Sequence, residues 1–306
     1  MYNVIIFADM ISFQKEVSFQ RTLFLESLKK IGIIQLYHPT EDVCIDDTDI
    51  VIFYFIRPSN HESCFEILSS FLHSSKYCFF YMEDIYHISA IKRLLKRYKV
   101  YNLILPMKHS YYESIFQRMG FQTYVLHTAF SVPKIYLQEK KTYDILLYGN
   151  TNPIIYPFRH RLFQLLLKHE QFFRVKHVPF LQQSSKHILE KQKILYRSIS
   201  ESRLCVATNS VYNFLIKKYL EIPLCGTAIL GNIPSNYSDI FTEDSIVYVH
   251  RKMTDHEILS QIHLHLHDIQ FLKHKTDVLQ ERIRSVFSLS NSVQEIKQIK
   301  KKLFSK

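Results

Sequence analysis

Glycine is scarce in this chain, with only 5 in 306 residues against about 7% in an average globular protein, so each one is expected where a side chain would not fit. Tryptophan is absent while Tyr 20 and Phe 23 are abundant; this usage reads as a biased nucleotide composition and carries no chemistry of its own. The five cysteines, at 44, 64, 78, 205 and 225, form no CxxC pair and are odd in number. That excludes a disulfide-dense scaffold and points to reduced thiols. No apolar run approaches the roughly 18 residues of a membrane span, and the start, MYNVIIFADM, lacks the basic opening of a secretory signal. The expectation is a soluble, cytoplasmic protein. Acidic residues are outnumbered, 28 against 39 basic, giving a net charge of +11, which favours anionic partners such as nucleotides, nucleic acid or acidic membranes. With 47% hydrophobic and 22% charged residues the chain buries a core, and its length predicts two domains.

Hydrophobic periodicity supports that count. Short apolar runs at 4–8, 33–37, 49–56, 77–82, 101–105 and 122–126 alternate with helical spacing over 14–31, 61–73, 88–98 and 109–119. Buried strands alternating with amphipathic helices imply a parallel sheet covered on both faces. This first domain is read as 1–133, followed by a polar linker over 134–142 (KIYLQEKKT). The pattern then restarts over 143–285, with strands at 144–148, 173–178, 203–207 and 227–230 and helices at 157–169, 186–199 and 212–220. Residues 286–306 are read as a basic helix carrying one apolar stripe at 293, 296, 299 and 303. The fold class is α/β, with two doubly wound Rossmann-like domains facing across a cleft, where ligands bind at the carboxyl ends of the strands.

Two segments of the second domain carry chemistry. In Tyr148–Arg161, YGNTNPIIYPFRHR, a strand ends at Gly149, a polar loop with Asn150 and Thr151 follows, and a helix starts at Pro157. Loop amides and a helix N-terminus suit an anion, and Arg159 or Arg161 can grip a phosphate. In Lys217–Asn232, KKYLEIPLCGTAILGN, a helix with Lys218 and Glu221 runs into a turn at Gly226 and Thr227 and then into an apolar strand. Taken alone, Glu221 could equally be a solvated helix residue and Gly226 merely a turn.

Together the two segments resemble the donor-binding half of GT-B glycosyltransferases, and the second is most similar to the spore-maturation-protein-like group. The resemblance implies a nucleotide-sugar donor held by Gly149, Asn150, Thr151, Arg159, Lys218, Glu221, Gly226 and Thr227. Glu221 would take the ribose hydroxyls, while small residues at Cys225 and Gly226 would let the backbone approach the sugar phosphates. Lys218, one turn before Glu221, would neutralise the departing diphosphate, so that no metal ion and no other cofactor is expected. Many retaining members carry a glutamate eight positions before the first; here that position is Asn213, which favours inversion.

In the first domain the strand YCFFYM ends at Glu83 and Asp84, where a carboxylate can serve as a general base. The position resembles that of the catalytic aspartate in phage DNA β-glucosyltransferases, which makes Asp84 the candidate base, although it is equally placed to cap the next helix. Asp9 is the weaker candidate. His127, at the end of the last strand, is where many GT-B enzymes place a residue beside the donor sugar. His263 and His267 have the spacing of a metal-binding pair without a supporting cluster. The expected activity is sugar transfer to a glycan, protein or lipid-linked acceptor. A nucleic-acid glucosyltransferase and a catalytically silent nucleotide-sugar-binding protein are the alternatives.

Overall fold

The computed structural model describes residues 2–8, 19–30, 32–37, 50–55, 77–82, 102–178 and 188–304. The chain divides into two compact units, Met1–Ala129 together with Phe287–Lys306, and Phe130–Val286. The boundary therefore precedes the segment expected as a linker. Residues 134–142 belong to the second unit, where the Gln138 N–H donates to Ser200 Oγ at 2.9 Å. The last helix belongs to the first.

The first unit is built on a six-stranded parallel sheet of order β2-β1-β3-β4-β5-β6. Its strands are β1 (Tyr2–Ala8), β2 (Gly32–Tyr37), β3 (Ile50–Phe55), β4 (Tyr77–Met82), β5 (Asn102–Leu105) and β6 (Gln122–Val125). Helix α1 (Phe19–Lys29) follows β1, α2 (Ser110–Arg118) follows β5, and the final helix, named α8 below, spans Leu289–Phe304. Val4, Ile6, Ile52, Phe79, Tyr81 and Ile104 form one buried layer with Phe24 and Leu28 of α1. Ile296 and Ile299 complete it, which is the apolar stripe expected of the last helix. At about 1.5–3 kcal/mol for each fully buried aliphatic or phenyl side chain, those two residues contribute to docking the helix. The helices expected over 61–73 and 88–98 lie outside the described residues.

The second unit carries a five-stranded parallel sheet of order β11-β10-β9-β7-β8. It comprises β7 (Tyr143–Tyr148), β8 (Val175–Val178), β9 (Ser202–Ala207), β10 (Ala228–Gly231) and the two-residue β11 (Val247–Tyr248). Its helices are α3 (Pro157–Lys168), α4 (Ile188–Ser200), α5 (Lys218–Leu224), α6 (Asp255–Leu266) and α7 (Ile269–Val286). Central strand residues such as Leu146, Leu147, Leu204 and Val206 are fully buried, so both sheet faces are covered, as the continuous apolar runs require. Helix α5 starts at Lys218, six residues later than the expected 212. Asn213 adopts φ +52°, a left-handed conformation that a helix cannot contain and that asparagine tolerates better than most residues. Strand β7 comes first in this unit and lies between β8 and β9, so the chain reverses direction across the sheet at the β7/β9 boundary. Ligands of doubly wound sheets bind outside the carboxyl ends of the strands at such a point. Among the described residues no helix is long and apolar enough to cross a membrane.

Candidate functional site

Strand β7 ends at Tyr148 and strand β9 at Ala207, and the loops leaving these two ends are tied together from below by Arg159 of α3. Its Nη1 donates to Asn150 O at 2.9 Å and its Nη2 to Thr208 O at 2.8 Å. The guanidinium also lies 3.8 Å from the centroid of the Tyr156 ring. Arg159 is only 2% exposed, and its Nε is buried with no hydrogen-bond partner among the described residues. The side chain expected to grip phosphate with a bidentate fork thus gives its terminal nitrogens to main-chain carbonyls. What it offers a ligand is its positive charge and the shape of the loop. Arg161, the other candidate, turns away and pairs with Asp255 at 2.6 Å.

The loop itself is internally wired. Asn150 Oδ1 accepts the Asn152 N–H at 2.8 Å, Asn152 Oδ1 accepts the Ile154 N–H at 2.9 Å, and the Thr151 carbonyl faces His160 Nδ1 at 3.1 Å. A second link joins it to the β9 loop through Val211 N–H and Ile155 O at 2.9 Å. Bonds of this kind hold a loop in one conformation before any ligand arrives, which reduces the ordering cost of binding.

Lys218 lies beneath the start of this loop. It is 7% exposed, its Nζ donates to the Tyr148 carbonyl, and the ammonium is 3.8 Å from the Tyr148 ring centroid. Gly149, at φ +83°, makes room for it, since a Cβ there would approach Lys218 Cε to 2.9 Å. Burial and the nearby Arg159 guanidinium push the Lys218 ammonium well below its ordinary pKa. Glu221, one turn on, faces the same spot. Its Oε2 accepts the Tyr148 hydroxyl at 3.2 Å, and burial pushes its carboxyl up from the usual range. Cys205 lies in the same environment, its thiol pushed up to about 12 by burial and therefore neutral. Burial thus disfavours the charged forms of both Lys218 and Glu221, and Arg159 is the firmest charge of the three. An anion arriving beside Lys218 would favour its ammonium form.

Gly226 and Thr227 are not part of this cluster. The Gly226 N–H donates to Pro223 O at 2.8 Å and the Thr227 N–H to Ile222 O at 3.2 Å, the paired bonds that close a helix with a left-handed residue after its cap. Gly226 has φ +76° for that reason. Helix α5 runs antiparallel to the strands, and its seven residues span about 10 Å, so they carry Gly226 and Thr227 to the amino edge of the sheet. There Thr227 Oγ1 donates to Ile199 O at 2.6 Å and receives Lys141 Nζ at 3.1 Å. The expected approach of this turn to sugar phosphates is replaced by a helix stop.

Sequence reasoning passed over Tyr148, which touches both Lys218 and Glu221, and Tyr219, whose hydroxyl donates to Asn232 O at 2.6 Å. It also passed over Thr208 and Asn209, each with a buried side-chain oxygen lacking a partner among the described residues. Only the aromatic residue closing an apolar strand immediately before Gly149 was a signal for the first.

In the first unit, His127 follows β6 and is held by α8. Glu295 accepts its N–H at 2.7 Å and lies 2.6 Å from its Nδ1, and Ser292 Oγ donates to its carbonyl at 2.5 Å. Asp84, Glu83 and Asp9 lie outside the described residues, as does the basic cluster around Lys92. Among the described residues no group of three or more His, Cys, Asp or Glu side chains is placed to hold a metal ion.

No family model matches the sequence, and no curated protein matches it. Solved structures do match. The Anabaena protein Alr3699/HepE, in complex with UDP and glucose, gives a TM-score of 0.60 at 9% identity over 99% of this chain and 100% of that one. Sucrose-phosphate synthase from Thermosynechococcus elongatus gives 0.57 at 11% identity over the whole of both chains. TarM gives 0.57 at 12% identity over 85% of this chain and 55% of that one. The fold is the GT-B fold shared by these proteins.

Proposed function

We propose that this chain is a glycosyltransferase that holds a nucleotide-sugar donor at the carboxyl edge of its second sheet. The observation that carries the reading is the buried Lys218–Arg159 pair beneath Gly149, at the point where the strand order reverses, with Glu221 beside it. In this reading a donor diphosphate favours the charged form of Lys218, and Glu221 accepts hydrogen bonds from hydroxyls of the ribose. The likeness to structures solved with UDP and UDP-glucose supports a uridine-diphosphate sugar as the first donor to try.

In this mechanism the acceptor hydroxyl gives its proton to a base as its oxygen attacks the anomeric carbon. The bond from that carbon to the diphosphate oxygen breaks with its electron pair. The charge arriving on the diphosphate would be stabilised by Lys218 and Arg159, and such preorganised charge is usually the main source of an enzyme's rate enhancement. Asp84 is the proposed base and inversion the proposed outcome, with Lys218 in place of a metal ion. A glycan, protein or lipid-linked acceptor is the proposed partner. The +11 charge favours nucleic acid as the second reading, which steeply salt-dependent duplex binding would establish.

A thermal-shift panel of UDP, GDP, ADP and their sugars tests the donor assignment. A ligand at a hundredfold excess over Kd adds about 2.7 kcal/mol, several degrees for a domain of this size. No shift with any donor overturns the reading. Binding without transfer or hydrolysis would mark the chain as a silent nucleotide-sugar-binding protein.

A further inference from the structure

We infer that Tyr148 is the positioning residue of this site, its ring placing the Lys218 ammonium and its hydroxyl placing the Glu221 carboxylate; the inference rests on the donor reading above. Tyr148 is the last residue of the interior strand β7, and it is 5% exposed. Three of its features face the two functional side chains. Its carbonyl accepts Lys218 Nζ. Its ring lies 3.8 Å below the same ammonium, within the range where an aromatic face attracts a cation. Its hydroxyl donates to Glu221 Oε2 at 3.2 Å.

The consequences differ for the two partners. Lys218 is held by a main-chain group and by the ring, so it depends on the aromatic face and not on the hydroxyl. Glu221 depends on the hydroxyl. With Oε2 occupied by Tyr148, the carboxylate can rotate little, and Oε1 is the oxygen left to meet a ribose. The Tyr148 hydroxyl is itself pushed well above its ordinary pKa, chiefly by burial, so it stays protonated and remains a donor. Its hydrogen bond favours the ionised form of Glu221 against the burial that opposes it. Tyr148 therefore acts on the sugar-diphosphate end through Lys218 and on the nucleoside end through Glu221.

Two substitutions separate these roles. Tyr148→Phe keeps the ring and removes the hydroxyl, whereas Tyr148→Leu removes both. Calorimetric titration of the full chain would use the tightest binder among UDP, GDP and ADP, its 2′-deoxy analogue, and inorganic pyrophosphate as a probe without base or ribose. Tyr148→Phe is expected to weaken the nucleoside diphosphate about tenfold, to narrow its advantage over the 2′-deoxy analogue, and to leave pyrophosphate within about twofold of wild type. Because the lost hydrogen bond favoured the carboxylate, the acid-side pH at which nucleotide affinity falls moves upward in this variant. Tyr148→Leu is expected to weaken pyrophosphate about tenfold as well. Unchanged nucleotide affinity and pH midpoint in Tyr148→Phe overturn the hydroxyl's role, as does an equal loss for pyrophosphate, which would mark general loosening of the pocket. Equal pyrophosphate affinity in the Leu and Phe variants overturns the ring's role. A wild type that binds none of these probes overturns the donor reading itself, and the positioning role with it.

Discussion

Gly231 and Ala207 lie in register on the neighbouring parallel strands β10 and β9, and a Cβ added to Gly231 would stand 1.6 Å from the Ala207 carbonyl oxygen. The obstacle is main chain, so no side-chain rotation relieves it. Tyr219 spans this same junction, its hydroxyl reaching Asn232 O at 2.6 Å and Ala207 O at 3.3 Å. Gly231→Ala is therefore expected to spread the strands where the β9 loop departs, and to cost about 3 kcal/mol or more. Thermal unfolding should show a fall of several degrees with nucleotide affinity lost in parallel. An unchanged melting temperature would mean that the strands are not this close.

The two buried cations should respond in opposite ways to removal. Arg159→Met leaves the Asn150 and Thr208 carbonyls without their donor, at about 1–3 kcal/mol for each buried group, and frees the loop; stability and binding should both fall. Lys218→Met removes an ammonium that burial and Arg159 already disfavour. Its melting temperature should equal or exceed wild type, while affinity for the nucleoside diphosphate falls at least tenfold. Differential scanning calorimetry with and without ligand separates the cases. A large loss of stability in Lys218→Met would show that its bond to Tyr148, not its charge, is what matters.

Much of this architecture is legible from sequence because buried parallel strands are written as unbroken apolar runs. Residues 144–148 and 203–207 could be read on that ground alone, and the proline opening α3 fixed its start. The two-residue β11 leaves no such trace. The onset of α5 was misplaced because a left-handed Asn213 is a property of the turn and not of composition. Arg159 was legible as a cation but not as a brace, since the carbonyls it bonds, on Asn150 and Thr208, are brought to it by two strands distant in sequence. Gly226 and Thr227 fell in an apparent motif, yet the length and direction of α5 decide which edge of the sheet they reach.

Lys141 makes stability depend on pH in a window that can be assigned. Burial lowers its ammonium to about 8 from the ordinary 10.5, while its Nζ donates to Gly226 O at 2.6 Å. Between these two values the unfolded chain binds more protons than the folded one, so stability rises with pH across that interval; below about pH 8 the gain is absent. Lys141→Met should flatten the rise. Urea unfolding of both proteins at intervals from about pH 7 to about pH 10 gives the comparison. Parallel curves would show that Lys141 keeps its ordinary pKa in the folded chain.

Glu221→Ala and Asp84→Asn should separate binding from chemistry. The first is expected to abolish measurable nucleotide binding with the fold intact, because the Glu221 carboxylate holds no other described group than the Tyr148 hydroxyl. The second should keep donor affinity while turnover falls by about 10²-fold or more, the usual loss for a general base. Calorimetry with the best donor and a product assay decide both. Normal turnover in Asp84→Asn would move the base elsewhere or favour retention of configuration.

The transfer is also expected to proceed without a divalent ion. A diphosphate leaving group needs roughly two positive charges close to it, and Lys218 and Arg159 are placed to supply them from within the fold. Both side chains are already held there: Arg159 by two carbonyls, Lys218 by the Tyr148 carbonyl and ring. Fixed charges need no reorganisation as the diphosphate departs, which is where such sites gain most. A metal ion would need carboxylates close to the phosphates, and Glu221 beside the cations is committed to the Tyr148 hydroxyl through one oxygen. Turnover with a chelator present should therefore match turnover with added Mg²⁺ or Mn²⁺. Complete loss on chelation that either ion restores would place the compensating charge on a metal, and Glu83 with Asp84 would then be the first ligands to substitute.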